Sequence, residues 1–203
     1  MTLADLTLLA LPFVLGYALG SIPFGLVLTR LFGAGDIRSI GSGNIGATNV
    51  LRTGRKGLAV ATLLLDGGKG AAAVLLAGAL WPADPALASA IAGFGALIGH
   101  CFPVWLRFKG GKGVATMLGI SFGLDWRLGV TCALLWLAVA LLTKISSLGG
   151  MASAVAAPVV LWLLGEGANW WLLALMALLI VWNHRANIAR LRAGTEPRIG
   201  QKG

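Results

Sequence analysis

Charged side chains are scarce in this sequence. Asp, Glu, Lys and Arg make up 11% of its 203 residues, whereas soluble domains carry about 25%. Because no long polar stretch separates the hydrophobic segments, the sequence leaves no material for a separate soluble domain. We therefore expect residues 1–203 to form a single polytopic membrane domain.

Cysteines and acidic residues are also few. The two cysteines, Cys101 and Cys132, lie in apolar runs without CxxC spacing, which excludes a disulfide framework and a cysteine metal site. The seven Asp and Glu residues form no cluster of the kind that binds a divalent cation. The sequence therefore predicts neither a metal nor a cofactor.

Hydrophobic residues dominate instead. They account for 58% of the chain, and the mean hydropathy is +0.87. Since a span needs about 20 apolar residues, we predict an all-α integral membrane protein with seven transmembrane helices. These helices are placed near residues 6–32, 56–80, 86–105, 113–124, 128–143, 147–165 and 169–185. The fourth, at about twelve residues, is short for a span and is expected to be partly re-entrant or shielded by its neighbours.

The positions of the basic residues predict the orientation of the chain. The net charge is +9, and with seven helices the loops near 33–55, 106–116 and 144–150 and the tail 184–203 fall on one side. The positive-inside rule makes that side cytoplasmic, with the N-terminus outside and the C-terminus cytoplasmic. Because topology explains the charge, we expect membrane lipid and not nucleic acid as a partner. Tryptophans near helix ends, Trp105 among them, are assigned to the interfacial aromatic belt.

A glycine-rich, uncharged polar string follows the first predicted helix: Gly41-Ser42-Gly43-Asn44-Ile45-Gly46-Ala47-Thr48-Asn49. Its glycines permit the positive backbone angles that turn successive N–H groups toward one concavity. Its hydroxyls and amides add neutral donors, and Arg52 adds a forked cation suited to phosphate. The candidate anion-binding residues are Gly41, Ser42, Gly43, Asn44, Thr48, Asn49 and Arg52. The alternative is a structural loop capped by Ser and Asn.

A second glycine-rich segment, Arg107-Phe108-Lys109-Gly110-Gly111-Lys112-Gly113, leads into a hydrophobic helix. Backbone donors, a helix N-terminus and two ammonium groups form a phosphate cradle. The candidate binding residues are Lys109, Gly110, Gly111, Lys112 and Gly113. This is not a Walker A loop, because Gly113 stands where Ser or Thr would follow Gly-Lys, and ATP is not implied. The alternative is a basic turn that serves topology.

A third polar region follows the last predicted helix. His184 and Asn187 are three residues apart, which places them on one face of a helix. With an unperturbed pKa of about 6.5, His184 is a candidate to carry or relay a proton. The alternative is a solvated basic tail on anionic lipid. Ser147, at the mouth of the sixth predicted helix, is a helix N-cap by default and a further candidate for substrate binding.

Two ionisable residues lie within an apolar helix. Asp66 and Lys69 are three residues apart, close enough to pair, and at membrane depth they should face the bundle interior or the cytoplasmic cavity. They form either a structural ion pair or part of the wall of a substrate site. His100 is either a packing histidine or a functional one. All three are candidates for substrate binding.

Four stretches carry a resemblance to a known family. They are GSGNIGATNVLR at 41–52, GHCFPVWLRFKGGKGVAT at 99–116, SSLGG at 146–150 and HRANIARLRAGTE at 184–196. In order and spacing they strongly resemble the bacterial acyl-phosphate:glycerol-3-phosphate acyltransferases, the PlsY family. The resemblance covers the whole chain.

The resemblance implies a multi-pass enzyme of the bacterial inner membrane with its active site facing the cytoplasm. It would transfer a fatty acyl group from acyl phosphate to the 1-hydroxyl of sn-glycerol 3-phosphate, giving lysophosphatidic acid and phosphate. The implied catalytic residues are Ser42, Asn44, Asn49, Arg52, His184 and Asn187, and the segment from Lys109 to Gly113 is implied to bind glycerol phosphate. The chain departs from some relatives in having Ala186 in place of an acidic residue, which leaves Glu196 as a weaker candidate.

The residues themselves suit this chemistry. Both substrates carry a phosphate, which the basic, amide-rich loops would bind. Acyl-CoA enzymes with an HX4D dyad are disfavoured, because Trp105 and Ala189 stand at the fifth positions after the two histidines, and no GxSxG elbow occurs. Since phosphate is a good leaving group, we expect direct attack by the alcohol without an acyl-enzyme. His184 and the donor phosphate both stay open as proton acceptors.

Two other functions are compatible with parts of the sequence. Broken helices and glycine loops also line transport paths, so a transporter of a phosphorylated metabolite is the main alternative. Against it, the polar groups are predicted on one face, and little besides Asp66 and Lys69 lies deep in the bilayer. A noncatalytic scaffold that binds lipid or a partner is the second alternative. We expect a monomer.

Overall fold

The computed structural model describes residues 3–165 and 167–199, and within these ranges the fold contains α-helices and short 3-10 turns without any strand. The helices are α1 (Leu3–Gly20), α2 (Phe24–Leu31), α3 (Ala47–Leu51), α4 (Lys56–Leu80), α5 (Pro85–Cys101), α6 (Val114–Leu124), α7 (Trp126–Thr143), α8 (Ser146–Leu163), α9 (Trp170–Asn183) and α10 (Arg185–Arg192). The predicted all-α architecture is confirmed. The end of the predicted tail, residues 200–203, lies outside the described residues.

Five helical segments of the described chain are long and apolar enough to cross a membrane. They are Thr7–Leu31, Lys56–Leu80, Pro85–Leu106, Trp126–Thr143 and Ser146–Leu163. A sixth is obtained if α9 and α10, which bend by 57° at their junction, are counted as one span. The shorter α6 has 11 residues. The total of seven transmembrane helices and the orientation of the termini stay predictions.

The first span is broken, and the prediction of one continuous helix over 6–32 is wrong at this point. Helix α1 ends at Gly20 and α2 begins at Phe24. Pro23 causes the break, because proline has no N–H to donate and disfavours a helical conformation at the preceding residue. At the break the carbonyl of Ile22 accepts the N–H of Phe24 over 3.1 Å, and its second lone pair can accept a further hydrogen bond.

Two other boundaries differ from the prediction for local reasons. Helix α5 ends at Cys101 and not at residue 105, because Pro103 cannot continue it. The expected N-cap role of Ser147 is also wrong: the cap of α8 is Ile145, and Ser147 lies inside the first turn. Its hydroxyl is thereby free to contact another loop.

The bundle packs through close helix contacts and a small apolar core. Helix α6 contacts α4 and α7, and its Met117 and Ile120 are fully buried with Leu97 of α5 and Ile180 of α9. The expectation that this short helix is shielded by its neighbours is confirmed. Burial matters because a helix of this length cannot span a bilayer alone.

Helices α1 and α5 pack with their backbones in close contact. A Cβ at Gly16 would overlap the carbonyl oxygen of Ala92, and a Cβ at Gly20 would overlap that of Ala96. Glycine at these positions allows backbone-to-backbone packing, which is how helices associate where lipid supplies no hydrophobic drive.

Replacement of Gly16 by Ala should force these helices apart. We expect a loss of about 1–3 kcal/mol of stability, as for other overpacked cores, measured as a lower Tm of the purified protein in detergent. The matched control is Gly68→Ala in α4, where an added Cβ meets nothing within 4 Å. Equal melting temperatures for the two variants would contradict this account of the packing.

Candidate functional site

The four polar regions predicted to share one side of the membrane meet at one end of the bundle. The second loop contacts the third polar region through a hydrogen bond from Lys112 Nζ to Asn187 Oδ1. The start of α8 contacts the tail through Ser147 Oγ, which donates to Glu196 Oε1 over 2.6 Å. The N–H of Ile199 donates to the carbonyl of Lys144 over 2.7 Å. Segments far apart in the sequence thus form one polar surface.

The first polar loop is shaped by the side chain of Asn49. Its Nδ2 donates to the carbonyls of Ile37, over 2.7 Å, and Ile40, over 3.2 Å, and its Oδ1 accepts from the N–H of Ser42 over 3.3 Å. Asn49 is only 2% exposed. It therefore acts on the loop conformation and presents no free amide to a ligand.

Gly41 is required where the loop turns beneath Arg52. Its φ of 53° lies in the left-handed region, and a Cβ there would overlap the Arg52 guanidinium and approach Asn49 Oδ1. Because glycine has no Cβ, it adopts the left-handed φ without strain and avoids the overlap. Arg52 is thereby held against the backbone that carries Ser42.

A cleft of about 490 Å³ lies between the first and second loops. Its lining residues are Arg38, Ser42, Gly43, Asn44, Trp105, Leu106, Arg107, Lys109 and Gly110. Five of these, Ser42, Gly43, Asn44, Lys109 and Gly110, are candidates from the sequence. The lining is cationic, because its arginines and lysine face no lining carboxylate. Such a cleft suits a phosphate-bearing ligand.

Arg38, Trp105 and Arg107 line the cleft but were not candidates for the site from the sequence. Arg38 is held by a bidentate ion pair with Asp36, at 2.5 Å for the shortest contact. Trp105, assigned above to the aromatic belt, lines the cleft, and its Nε1 donates to the carbonyl of Ser21 over 2.8 Å. Arg107 and Phe108 both have positive φ angles, 52° and 61°, so this turn is strained. The fold brings Arg38, Trp105 and Arg107 beside Ser42.

Glu196 is the centre of a second polar cluster. Its Oε1 accepts from Ser147 Oγ over 2.6 Å and from Asn187 Nδ2 over 2.5 Å, while Oε2 accepts from Arg190 Nε over 2.7 Å. Asn187 in turn accepts from Lys112. In the sequence Glu196 is only a weak candidate for the site and Arg190 is not a candidate, because the fold alone brings their partners together.

Burial and neighbouring charges shift the pKa values of Glu196 and Lys112 in this cluster. Burial disfavours ionisation of Glu196, but hydrogen bonds from Ser147, Asn187 and Arg190 outweigh it and hold the pKa of Glu196 below its ordinary value. Burial lowers the pKa of Lys112 to about 8; the Glu196 charge opposes this shift, and the charges of Arg190 and Arg52 add to it. Lys112 is therefore a cation at neutral pH that gains from an added anion.

His184, just past the end of α9, is buried and its ring is fixed. Nδ1 donates to the carbonyl of Ile180 over 2.8 Å, which in the neutral ring leaves Nε2 as an acceptor. Burial lowers the pKa of His184 to about 4; the bond to Ile180 opposes this, and the charge of Lys112 adds to it. The ring is thus neutral at pH 7 and a weaker base than the sequence suggested.

The remaining candidates lie apart from the cleft. Thr48 is exposed on α3 and is not among the lining residues. Asp66 and Lys69 form an ion pair of 2.7 Å in the bundle interior, and His100 is buried beside them. Gly111 and Gly113 are buried at the base of the second loop. Direct contact of these residues with a substrate stays a prediction.

The described residues hold no assembled metal site. Across residues 3–165 and 167–199, no group of three His, Cys, Asp or Glu side chains comes together as a metal ion requires. Cys101 and Cys132 are separate buried thiols. Around the carboxylate of Glu196, the polar surface offers amides, hydroxyls and cations, which bind anions.

Comparison with known proteins identifies relatives over nearly the full chain. Residues 10–194 match the family model described as "Glycerol-3-phosphate acyltransferase". A protein named glycerol-3-phosphate acyltransferase from Agrobacterium fabrum is 58% identical over 196 residues, covering 97% of this chain and 94% of the relative. One of the same name from Ruegeria sp. strain TM1040 is 64% identical over 188 residues, with 93% and 92% covered.

Solved structures give the same result. The crystal structure of PlsY (YgiH), an integral membrane glycerol 3-phosphate acyltransferase, in its glycerol 3-phosphate form matches with a TM-score of 0.87 and 37% identity over 94% of each chain. The lysophosphatidic acid form of that enzyme matches with a TM-score of 0.84 and 34% identity, also over 94% of each chain. With its apolar spans and this likeness in sequence and fold, the chain is a multi-pass membrane protein and belongs to the glycerol-3-phosphate acyltransferase family.

Proposed function

We propose that the protein transfers a fatty acyl group from an acyl phosphate to the 1-hydroxyl of sn-glycerol 3-phosphate, as a step of phospholipid biosynthesis. The products are lysophosphatidic acid and inorganic phosphate. The reaction takes place at the cytoplasmic face of the bacterial inner membrane, which the basic loops face under the positive-inside rule.

One observation carries the proposal beyond family membership. The cationic cleft at Ser42 and Lys109 and the cluster at Lys112 and Glu196 share the second loop, which supplies Lys109 to the first and Lys112 to the second. Two phosphate-bearing substrates need two such subsites next to each other, since the alcohol of one must reach the acyl carbon of the other.

The cations have separable roles in this arrangement. Lys109 and Arg107 line the open cleft, whereas Lys112 is partly buried and oriented by Asn187. Arg52, held over Gly41, lies near enough to Lys112 for its charge to lower that pKa. We assign Lys112 and Arg52 to phosphate binding at the reacting centre, and Lys109 to the mouth of the cleft.

The transition state needs donors for a developing oxyanion. The hydroxyl of Ser42 is exposed at the cleft, and neighbouring loop N–H groups offer neutral donors that suit the carbonyl oxygen as it gains charge. The glycerol alcohol attacks the acyl carbon, the bond to the phosphate oxygen breaks, and the ester forms in one transfer. Recovery of a protein acylated at Ser42 would contradict this direct attack.

The proton of the attacking alcohol goes to the donor phosphate. Burial disfavours the protonated form of His184 and lowers its pKa to about 4. As the bond between the acyl carbon and the phosphate oxygen breaks, the leaving phosphate gains negative charge and becomes more basic, so the proton ends on the released inorganic phosphate. His184 then serves to hold the local structure through Ile180.

Donor identity is the first test of the proposed reaction. The purified protein in detergent should release phosphate and form lysophosphatidic acid from acyl phosphate and glycerol 3-phosphate, and should be inactive with acyl-CoA or acyl carrier protein thioesters. Detergent abolishes vectorial transport but not turnover, so chemical product distinguishes an enzyme from a transporter. Transfer from a thioester at an equal or higher rate would overturn the donor assignment.

The ionisation of Lys112 should appear in the pH profile. Its pKa of about 8 means that the ammonium is present below that pH and is lost above it. We therefore expect kcat/KM for glycerol 3-phosphate to fall about tenfold per pH unit above pH ~8 in the free enzyme. The control is Lys112→Arg, whose guanidinium keeps its charge and should remove this alkaline decline even if its activity is lower. An unchanged decline in that variant would assign it to another group.

The role of His184 can be tested by His184→Asn. The Asn amide can replace the Nδ1 donor to Ile180 but has no ring nitrogen to accept a proton. If the donor phosphate is the base, kcat should fall less than tenfold, whereas loss of a general base costs about 10²–10⁴-fold. A drop of that larger size with an unchanged Tm would return the role of base to His184.

A further inference from the structure

The buried charges of α4 lie in a cluster that the proposed mechanism does not use. Asp66, Lys69 and His100 are 2%, 5% and 4% exposed. Lys69 Nζ lies 2.7 Å from Asp66 Oδ1, and His100 Nδ1 lies 3.7 Å from the same oxygen. None of the three lines the cleft. A buried ion pair is weak evidence for stability, because desolvation offsets its Coulomb energy, so stability alone does not explain the cluster.

On one side the cluster holds the break in the first span. Lys69 Nζ donates to the carbonyl of Ile22 over 2.7 Å and lies 5.8 Å from the centre of the Phe24 ring. Ile22 lies at the break, where its carbonyl also accepts the N–H of Phe24 over 3.1 Å. The ammonium therefore adds a charged donor to the backbone at the break, where the hydrocarbon supplies no water.

On the other side the cluster reaches the second loop through His100. The carbonyl of His100 accepts from the N–H of Gly111 over 3.0 Å, and the next carbonyl, of Cys101, accepts from Gly110 over 3.0 Å. The His100 ring lies directly against Gly111, since a Cβ at residue 111 would overlap Nε2. Lys112 is the next residue along the chain. The loop that carries the phosphate-binding lysine thus rests on the His100 ring.

We propose that Asp66 and Lys69 are positioning residues that act through His100 to hold Gly111, and thereby Lys112, in place for glycerol 3-phosphate. The inference rests on the proposed function and adds a role for three residues that do not touch substrate. The Asp66 carboxylate lies against the ring, 3.7 Å from Nδ1 and beyond hydrogen-bond distance, and the ring with its carbonyl supports the loop. A shift of about 1 Å at a binding group can cost on the order of a hundredfold in rate, so the support has a measurable effect.

The contact between ring and loop is tested by a double-mutant cycle. Gly111→Ala alone should raise KM for glycerol 3-phosphate about tenfold or more, with a smaller change in KM for acyl phosphate, because Lys112 moves while the open cleft does not. His100→Ala should also raise it. The double variant should be no worse than His100→Ala, since removing the ring removes the overlap; independent sites would instead give multiplied losses.

The ion pair is tested in the same way without leaving a lone buried charge. The variant Asp66→Asn with Lys69→Gln replaces the pair by neutral amides and should raise KM for glycerol 3-phosphate in the wild-type background. In the His100→Ala background the same two substitutions should raise KM for glycerol 3-phosphate little further, because their effect on the loop acts through the His100 ring. For any variant too slow for kinetics, the dissociation constant of glycerol 3-phosphate measured by calorimetry replaces KM.

The control is Ser121→Ala in α6, a fully buried hydroxyl that bonds to the Met117 carbonyl of its own helix over 2.9 Å. The Ser121→Ala variant should change Tm without changing KM for glycerol 3-phosphate. Multiplied losses in either cycle, or equal rises in KM for both substrates, would overturn the positioning role while the wild-type reaction stands. A wild-type protein that neither binds nor acylates glycerol 3-phosphate would instead overturn the proposed function.

Discussion

The carboxylate of Glu196 links the segments of the polar surface that come last in the sequence. It accepts hydrogen bonds from α8 through Ser147 and from α10 through Asn187 and Arg190. Asn187 in turn accepts a hydrogen bond from Lys112, the cation between the two proposed phosphate subsites, and so orients its ammonium group. Without this negative charge, three cations would face each other in a partly buried site, at a cost in Coulomb energy. The network therefore allows positive charge to be concentrated where an anion binds.

Backbone contacts between helices help to pack the bundle that carries this surface. Gly16 and Gly20 bring α1 against α5, and Gly119 allows α6 to lie on the backbone of Gly67. These contacts fix the ends of α5 and α6, between which the second loop is held. Helix packing thus determines the position of the second loop. The close contacts need small residues, which is consistent with a chain rich in glycine.

Much of this could be predicted from the sequence because its causes are local or compositional. Hydropathy predicted the helices, and the loop motifs predicted Ser42, Asn44 and Lys109 as neighbours of one site, since polar strings stand out in an apolar chain. The pairing of Asp66 with Lys69 followed from helical spacing. Family likeness then gave the chemistry to be expected of the site.

What could not be predicted depends on long-range contacts. Asn49 reads as a ligand donor in the sequence, but its amide is used up within the loop by Ile37 and Ile40. The basicity of His184 depends on burial by the surrounding helices, which periodicity does not report. Arg38 and Trp105 were not candidates for the site, and their place at the cleft follows from how the first and second loops meet.

The location of Glu196 after the last apolar helix has a consequence for biogenesis. Helices α1 to α9 all precede this residue in the sequence, so a nascent chain that has inserted them carries its cationic loops before their counter-charge is synthesised. The cluster around Lys112 can therefore close only after these helices have been made.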